Sequence, residues 1–479
     1  MRMHYAAGNL LPLLLTLLTT TQARLHLNNK RATTLSEPIR GVNLGGWLVT
    51  EQWITPSVYD SSSANDEWHL CNELGKDKCA ERLDDHWSSF YTRSDLQDIR
   101  AAGLNAVRIP IGYWAVDLED YEPYVSGQYP YLIRAIQWAS SLGLSVLIDL
   151  HGAPGSQNGQ DNSGLIGPVD FTSNATNAER SLNVLRNLTA EFSQGMYNGT
   201  VIGESYHCVS PFECAAESHR EGIELLNEPR LNSGNFTMVD LQDFYAEGAS
   251  TIQNATVDTA MNVSIHDAFW GPNYWVNYKP SNAGASQPAS DLLLDTHQYY
   301  AFEPLNNLAR SQILDSVCNI SQLLKRPGSG IPATFVGEWS LETGAPPRAW
   351  SSSQGQGDDQ NRRTWFRLLA EAQMVAYTPD GAGQASVGWY FWAWKTEYDI
   401  DTWSYRRGVS DGWIPSDASN TSTYAFPVLE NGCVDTTYNY TAPRHPGRSG
   451  GGRPGRSSGG RVSASWVLLG ICLVLAQLL

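Results

Sequence analysis

Ile223-Glu224-Leu225-Leu226-Asn227-Glu228-Pro229 decides how the rest of the chain is read. An aliphatic run that enters an Asn-Glu-Pro turn is how a buried parallel strand delivers a polar pair to the open end of a sheet. A second segment, Ala333-Thr334-Phe335-Val336-Gly337-Glu338-Trp339-Ser340, repeats the pattern, a β-rich run ending on a carboxylate. Either segment alone fits equally well a helix start with Glu in its first turn. Together they suggest two carboxylates that divide the roles of acid/base and nucleophile.

Working outward from residue 39, short β-rich runs alternate with longer amphipathic ones. Strands are expected at Ile39 to Leu44, Asn105 to Ile111, Ser145 to Leu150, Gly222 to Leu226, Met261 to His266, Leu292 to His297, Ala333 to Gly337 and Val387 to Trp392. Helical patterns lie between them, among them Ser94 to Ala102, Tyr131 to Leu142, Asn177 to Glu191, Val239 to Gln253 and Gln360 to Tyr377. This alternation without an internal repeat predicts an α/β chain folded as one (β/α)8 TIM barrel with extended loops, spanning residues 32–441.

In such a barrel, function lies at the C-terminal ends of the strands. Polar residues gather there beyond what packing needs: Arg108, His151, Asn227, Glu228, His266, His297, Tyr299, Glu338 and Trp392. Taken singly, each has an ordinary explanation, Arg108 as a barrel-end salt bridge and His151 as a satisfied core histidine. Their coincidence at equivalent strand ends points to one site. The sequence contains no Gly-rich phosphate loop, no Cys/His set at zinc spacing and no Gly-x-Ser-x-Gly elbow, so no metal and no cofactor is expected.

The net charge of −17 argues against nucleic acid or an anionic membrane surface as a partner. With 17 Trp and 22 Tyr, a neutral carbohydrate is a natural one, because aromatic faces stack on the apolar faces of sugar rings. Arg2, the apolar run Leu10 to Leu18 and the Thr-rich stretch to Ala23 have the layout of a secretory signal peptide (1–23). Lys30-Arg31 offers a dibasic processing site closing a short propeptide (24–31).

At the other end, residues 442–465 form a Gly/Ser/Arg-rich linker and 466–479 a short apolar tail, the layout of a GPI-anchor signal with attachment between Ser449 and Gly460. The expected location is therefore the cell surface or cell wall, with the membrane reached only through the anchor, and a monomer is expected. Leaving out Cys472 in the tail, six cysteines remain, and their spacing suggests Cys71 with Cys79, Cys208 with Cys214 and Cys318 with Cys433, other pairings staying open. Sequons at Asn174, Asn187, Asn198, Asn235, Asn254, Asn262, Asn319, Asn420 and Asn439 fit a secreted glycoprotein.

The motifs Arg40-Gly41-Val42-Asn43-Leu44-Gly45-Gly46-Trp47, Arg108-Ile109-Pro110-Ile111-Gly112, Asp149-Leu150-His151-Gly152-Ala153-Pro154-Gly155, Leu226-Asn227-Glu228-Pro229, Gly337-Glu338-Trp339 and Trp392-Ala393-Trp394-Lys395-Thr396-Glu397 resemble those of the fungal exo-β-1,3-glucanases of glycoside hydrolase family five. The resemblance covers residues 40–433. It implies a retaining hydrolase that releases glucose from chain ends of β-glucan, with Glu228 as acid/base and Glu338 as nucleophile. It further implies that Arg108, His151, Asn227, His297, Tyr299 and Trp392 line the subsite of the cleaved sugar. Glu51, Asp161 and Asn162 would close the pocket, and Phe302 would face the next sugar. Where relatives often carry an aromatic before Asp161 this chain has Gln160, which touches linkage preference and transglycosylation rather than hydrolysis. Two other readings follow the same motifs: a β-glucan transglycosylase or other β-glycanase of the family, and a non-catalytic cell-wall binding protein.

The chemistry requires one carboxyl protonated at the leaving oxygen and the other ionised at the anomeric carbon. Arg108 is expected to hold Glu338 charged, and that charge to raise the pKa of Glu228.

Overall fold

The computed structural model describes residues 37–201, 205–210, 213–217, 222–280, 292–344 and 355–443, with side chains for all but 205–210, 213–217 and 355–359. The expected signal peptide, propeptide and apolar tail, and the linker beyond residue 443, lie outside the described residues. Among the described residues no helix is long and apolar enough to cross a membrane.

Strands β1 (Ile39–Asn43), β2 (Ala106–Gly112) and β3 (Ser145–Gly152) are followed by a separate antiparallel hairpin of β4 (Ser205–Ser210) and β5 (Glu213–Glu217). Then come β6 (Gly222–Glu224), β7 (Asn262–His266), β8 (Leu292–Tyr300), β9 (Ala333–Thr343) and β10 (Ser386–Phe391). Apart from the hairpin, these strands close a parallel barrel in the order β1-β2-β3-β6-β7-β8-β9-β10. The helices are α1 (Glu67–Leu74), α2 (Lys76–Ser89), α3 (Arg93–Ala101), α4 (Tyr129–Leu142), α5 (Ala175–Phe192), α6 (Met238–Ala255), α7 (Arg310–Leu324), α8 (Gly355–Tyr377) and α9 (Tyr405–Asp411). The (β/α)8 expectation holds, with each predicted strand and helix found within a few residues of its place.

Two departures have local causes. The strand expected to reach Leu226 stops at Glu224; beyond it the backbone makes isolated bonds, Leu225 N–H to the Ser264 carbonyl (2.9 Å) and Asn227 N–H to the Leu150 carbonyl (3.0 Å). Glu228 then takes a left-handed φ of 46° directly before Pro229, a conformation a side chain other than Gly adopts only where its surroundings enforce it. After β7 the described residues hold a short 3-10 turn, Pro272–Trp275, instead of a barrel helix. Gly271 and Pro272 punctuate that connection.

Cys71 on α1 is bonded to Cys79 on α2, and Cys318 on α7 to Cys433, the latter tying down a segment 115 residues further on. Cys208 and Cys214 are register partners in the β4–β5 hairpin, and their side chains lie outside those described.

The barrel interior is layered. At the N-terminal end the inward residues are apolar: Ile39, Ala106, Leu147, Leu293, Phe335, Val387 and Tyr390. Above them lies a polar layer, Asn43, Arg108, Asp149, Glu224, Ser264 and Asp295, all fully buried. The catalytic-side residues occupy the layer above that.

Strand period decides which side chains enter this interior, and β9 breaks it. Phe335 faces in and pairs with Asp295, so strict alternation would turn Glu338 outward. The register instead shifts between Thr296 and His297, so that His297 pairs with Glu338 and Gly337 is the extra residue of a bulge. Its N–H donates to Asp295 Oδ1 (2.7 Å) and its carbonyl accepts from Asn43 Nδ2 (2.9 Å). A Cβ built on Gly337 would lie 2.1–2.4 Å from the Asp295 carboxyl atoms. Gly337→Ala is therefore expected to destabilise the fold by about 1–3 kcal/mol through overpacking, read by chemical denaturation, and to misplace Glu338 as well.

Candidate active site

Arg108 on β2 is the centre of the site. It is 0% exposed, and its guanidinium reaches four carboxylates. Nε donates to Glu224 Oε2 (2.9 Å), Nη1 to Glu338 Oε1 (2.9 Å) and to Asn43 Oδ1 (3.0 Å), and Nη2 to Asn227 Oδ1 (2.8 Å). Nη2 also lies 3.2 Å from Asp149 Oδ2 and 3.8 Å from Asp295 Oδ2. Burial alone would lower the Arg108 pKa, but the acidic groups around it, Asp149 first, outweigh it and raise it.

The two expected carboxylates meet around His297. His297 Nδ1 stands 2.7 Å from Glu228 Oε1 and 3.5 Å from Glu338 Oε2. Those distances bound the gap between the two oxygens at their sum, 6.2 Å. Tyr299 donates its hydroxyl to Glu338 Oε2 (2.8 Å), and Asn162 Nδ2 donates to Glu228 Oε2 (2.9 Å). Asn162 is itself held by Asn158 Nδ2 (2.9 Å).

The protonation differs from the sequence expectation. Burial raises the Glu228 pKa, but the hydrogen bond and charge of His297, with His151 and Asn162 behind them, outweigh it and hold Glu228 below the usual carboxylate range. Burial lifts Glu338 above that range, against the opposing pull of His297 and Arg108. His297 would be lowered by burial, yet Glu338, Asp295 and Glu228 together drive it well above the ordinary imidazole value. These directions favour a charged His297 hydrogen-bonded to an ionised Glu228, with Nε2 facing Asp295 Oδ2 at 3.3 Å. The reversal arises because one imidazole bridges both carboxylates, a contact that chain order alone does not reveal.

His151 holds Asp149 Oδ2 through Nδ1 (2.5 Å) and lies parallel to Trp392, with ring centroids 5.5 Å apart and planes 7° apart. Its Nε2, and Nδ2 of Asn227, are buried with no protein partner, leaving both for a ligand. Glu51 is buried and accepts from Trp53 Nε1 (2.9 Å); burial first, then the charge of Asp161, lifts its pKa well above the usual range. Asp161 is also raised, by burial. Phe302, 49% exposed, packs against Tyr299 at 5.5 Å. Every residue expected from the sequence is thus within this group or at its rim.

Several members were missed. Asn43, Glu224 and Asp295 hold Arg108 and His297 from beneath, and their inward parity on β1, β6 and β8 was the available signal. Gln157 donates to the carbonyls of His151 (2.7 Å) and Asn227 (2.9 Å), tying the β3 and β6 ends together. Trp53 and Trp403 extend the aromatic rim beside Tyr299 and Phe302. Phe269, 54% exposed at φ 60°, stands against His266 and His297, its N–H held by Asp267 Oδ1 (2.8 Å).

Glu228, His266 and His297 bring one donor atom each within 4.8 Å of one another, a spacing that suits a metal ion. The donor chemistry does not. His266 Nδ1 accepts the Ala268 N–H (3.0 Å), so in the neutral ring Nε2 carries the hydrogen and has no lone pair to give. Both His297 ring nitrogens are already engaged, Nδ1 with Glu228 and Nε2 with Asp295.

The cellulase profile of glycosyl hydrolase family 5 matches residues 71–206. The glucan 1,3-beta-glucosidase of Yarrowia lipolytica is 36% identical over 415 residues, covering 79% of this chain and 89% of that protein. The probable glucan 1,3-beta-glucosidase A of Neosartorya fischeri is 36% identical over 409 residues, covering 79% and 87%. In structure, the rutinosidase from Aspergillus niger superposes with a TM-score of 0.62 at 21% identity, covering 79% of this chain and 98% of that one, a likeness of fold. With the barrel, the paired carboxylates and this extent of identity, the chain belongs to glycosyl hydrolase family 5, alongside the fungal glucan 1,3-beta-glucosidases.

Proposed function

We propose that the chain is a retaining, exo-acting hydrolase that releases glucose from the non-reducing ends of β-1,3-glucan. The observation that carries the mechanism is the bridged pair: Glu228 and Glu338 oxygens no more than 6.2 Å apart across one imidazole. That bound lies below the roughly 6.5–9.5 Å of inverting enzymes and admits the roughly 5–5.5 Å of retaining ones.

Glu338, held between Arg108 and Tyr299, attacks the anomeric carbon. The proton moves along the 2.7 Å hydrogen bond from His297 Nδ1 to Glu228, which delivers it to the leaving oxygen. Neutral His297 keeps Nε2–H toward Asp295, so only one proton changes place. Water then attacks the glycosyl ester with Glu228 as base, and the proton returns. Asn227, its oxygen fixed by Arg108, has its amide nitrogen free for the sugar's 2-hydroxyl, a contact that strengthens in the transition state. Glu51, Asp161 and Asn162 on one side and the Trp53, Trp403 and Phe302 rim on the other support a pocket shaped for a chain end.

Location is part of the same proposal. All the sequon asparagines but Asn262 are exposed, which suits glycosylation and export, and the linker and tail suit a GPI anchor. Deleting residues 466–479 is expected to move activity from the cell surface into the medium; retention unchanged by the deletion counts against the anchor.

The roles of the carboxylates separate by rescue. Glu338→Ala should abolish turnover for every leaving group. Glu228→Ala should lose roughly 10²- to 10⁴-fold on poor leaving groups, keep turnover of activated aryl β-glucosides, and yield a β-glycosyl azide when azide is added. The β-azide from Glu338→Ala instead would reverse the assignment, and release of α-glucose first by the unaltered enzyme would exclude retention.

The pH profile reads the bridge. Glu338 must be ionised and is raised, so the acid limb should sit above the usual carboxylate range. The proton donor is the His297–Glu228 pair, in which His297 is raised above the ordinary imidazole value, so activity should persist past that value before the alkaline limb. His297→Gln should move the alkaline limb of kcat/KM to lower pH, because the proton must then reside on Glu228 itself. An unmoved limb rules out His297 as its holder.

A further inference from the structure

The polar layer beneath the site contains a second arrangement that the reaction above does not use. Asp149 on β3, Glu224 on β6 and Ser264 on β7 are in-register neighbours on three adjacent strands, and all three are fully buried. Each carries one polar atom with no hydrogen-bond partner: Asp149 Oδ1, Glu224 Oε1 and Ser264 Oγ. Three such orphans side by side are unusual, since buried polar groups are nearly always satisfied.

Two of these atoms are carboxylate oxygens, which accept and cannot donate when ionised. Arg108 has no donor left for them: its nitrogens are taken by Glu224 Oε2, Glu338, Asn43, Asn227 and Asp149 Oδ2. Charge points the same way. Asp149, Glu224, Asp295 and Glu338 surround Arg108, and among the described residues two imidazoles touch this set as well, His297 through Asp295 and Glu338 and His151 through Asp149. Dry interiors do not tolerate uncompensated anions, and a group in that position takes up a proton.

We propose that Glu224 is a positioning residue for glycoside cleavage, carried as a neutral acid whose Oε2 fixes the Arg108 guanidinium while Oε1, on the side of its register neighbour Asp149, carries the proton; the Ser264 hydroxyl brings a hydrogen of its own. Through Arg108 it acts on two groups at once. Nη1 aims Glu338, and Nη2 holds the oxygen of Asn227 so that its amide nitrogen faces the sugar. Glu224 touches neither sugar nor reacting atoms. Burial, the first influence on it, outweighs the attraction of Arg108 and raises its pKa well above the carboxylate range. Of the acids around it, Glu224 is the natural proton holder: Asp295 Oδ1 accepts the Gly337 N–H, and Asp149 Oδ2 faces both His151 Nδ1 and Arg108.

The inference rests on the glycosidase reading, so one test reads the proton without activity. Glu224→Gln keeps the shape and an acceptor for Arg108, and is expected to keep kcat within about threefold. Glu224→Ala lets the guanidinium shift, and a misplacement of about 1 Å at the reacting group costs roughly 10²-fold in kcat, with KM changed far less. In infrared difference spectra at neutral pH, unaltered enzyme minus Glu224→Gln should show the carbonyl stretch of a buried protonated acid, insensitive to Glu228→Gln.

Glu224→Gln as impaired as Glu224→Ala, a folded Glu224→Ala with kcat near that of the unaltered enzyme, or no protonated-acid band in the difference each overturns the proposal. Where Glu224→Ala fails to fold, the Gln variant's kinetics and spectrum decide it. Failure of the unaltered enzyme to turn over any β-glucoside strikes the reading of function instead, and leaves the infrared result standing as the measure of the proton.

Discussion

A guanidinium with no access to water sits at the middle of this barrel, and the catalytic end is built upon it. Arg108 cannot be deprotonated, and taking its charge out of water is affordable only if anions and acceptors surround it completely. Asn43, Asp149, Glu224, Asn227, Asp295 and Glu338 do so from six different places in the chain. Removing one partner from a buried set of this kind costs about 3–5 kcal/mol, because the remainder is left uncompensated.

Above that layer the geometry is set by departures from regular structure. Regular strands alternate, and alternation from Phe335 would send Glu338 into the surrounding shell. The bulge at Gly337, with its N–H on Asp295 and its carbonyl on Asn43, turns the carboxylate inward, and both anchors belong to the Arg108 layer. On the opposite side Glu228 leaves its short strand in a left-handed conformation before a proline, held by Asn162 and His297. The strain on one carboxylate and the bulge under the other both sit where the surrounding hydrogen bonds over-determine the backbone.

His297 couples the two halves electrostatically. It faces Glu228, Glu338 and Asp295 within 3.5 Å, so it pulls the Glu228 carboxyl down while burial leaves that of Glu338 raised. Proton ownership in such a set belongs to the group and not to one residue. The expected pattern of a lowered Glu338 and a raised Glu228 is therefore not the one these surroundings favour. The aromatic rim of Trp53, Trp403, Phe302 and Phe269 then surrounds the opening with faces suited to sugar rings.

Much of this was legible in the chain itself. The barrel followed from aliphatic runs at strand length separated by amphipathic helices, and the proposed catalytic pair from two such runs ending on Glu228 and Glu338, because burial on both faces leaves a period that composition records. Arg108, His151, His297 and Trp392 were readable for the same reason, as polar or aromatic residues just past buried strands. What tertiary structure alone decided was which of them touch. Asn43, Glu224 and Asp295 lie inside strands where parity, not identity, sets their direction, and the shear of the barrel brings strands far apart in sequence around one guanidinium. The bulge at Gly337 reverses a parity that the sequence does not mark, and Phe269 faces the site from a connection with no periodic pattern. The protonation of Glu228 depended on a 2.7 Å contact to His297 across 69 residues of chain. Strand identity is a local property written in composition, whereas register, bulges and charge balance are properties of the closed barrel and exist only once it has closed.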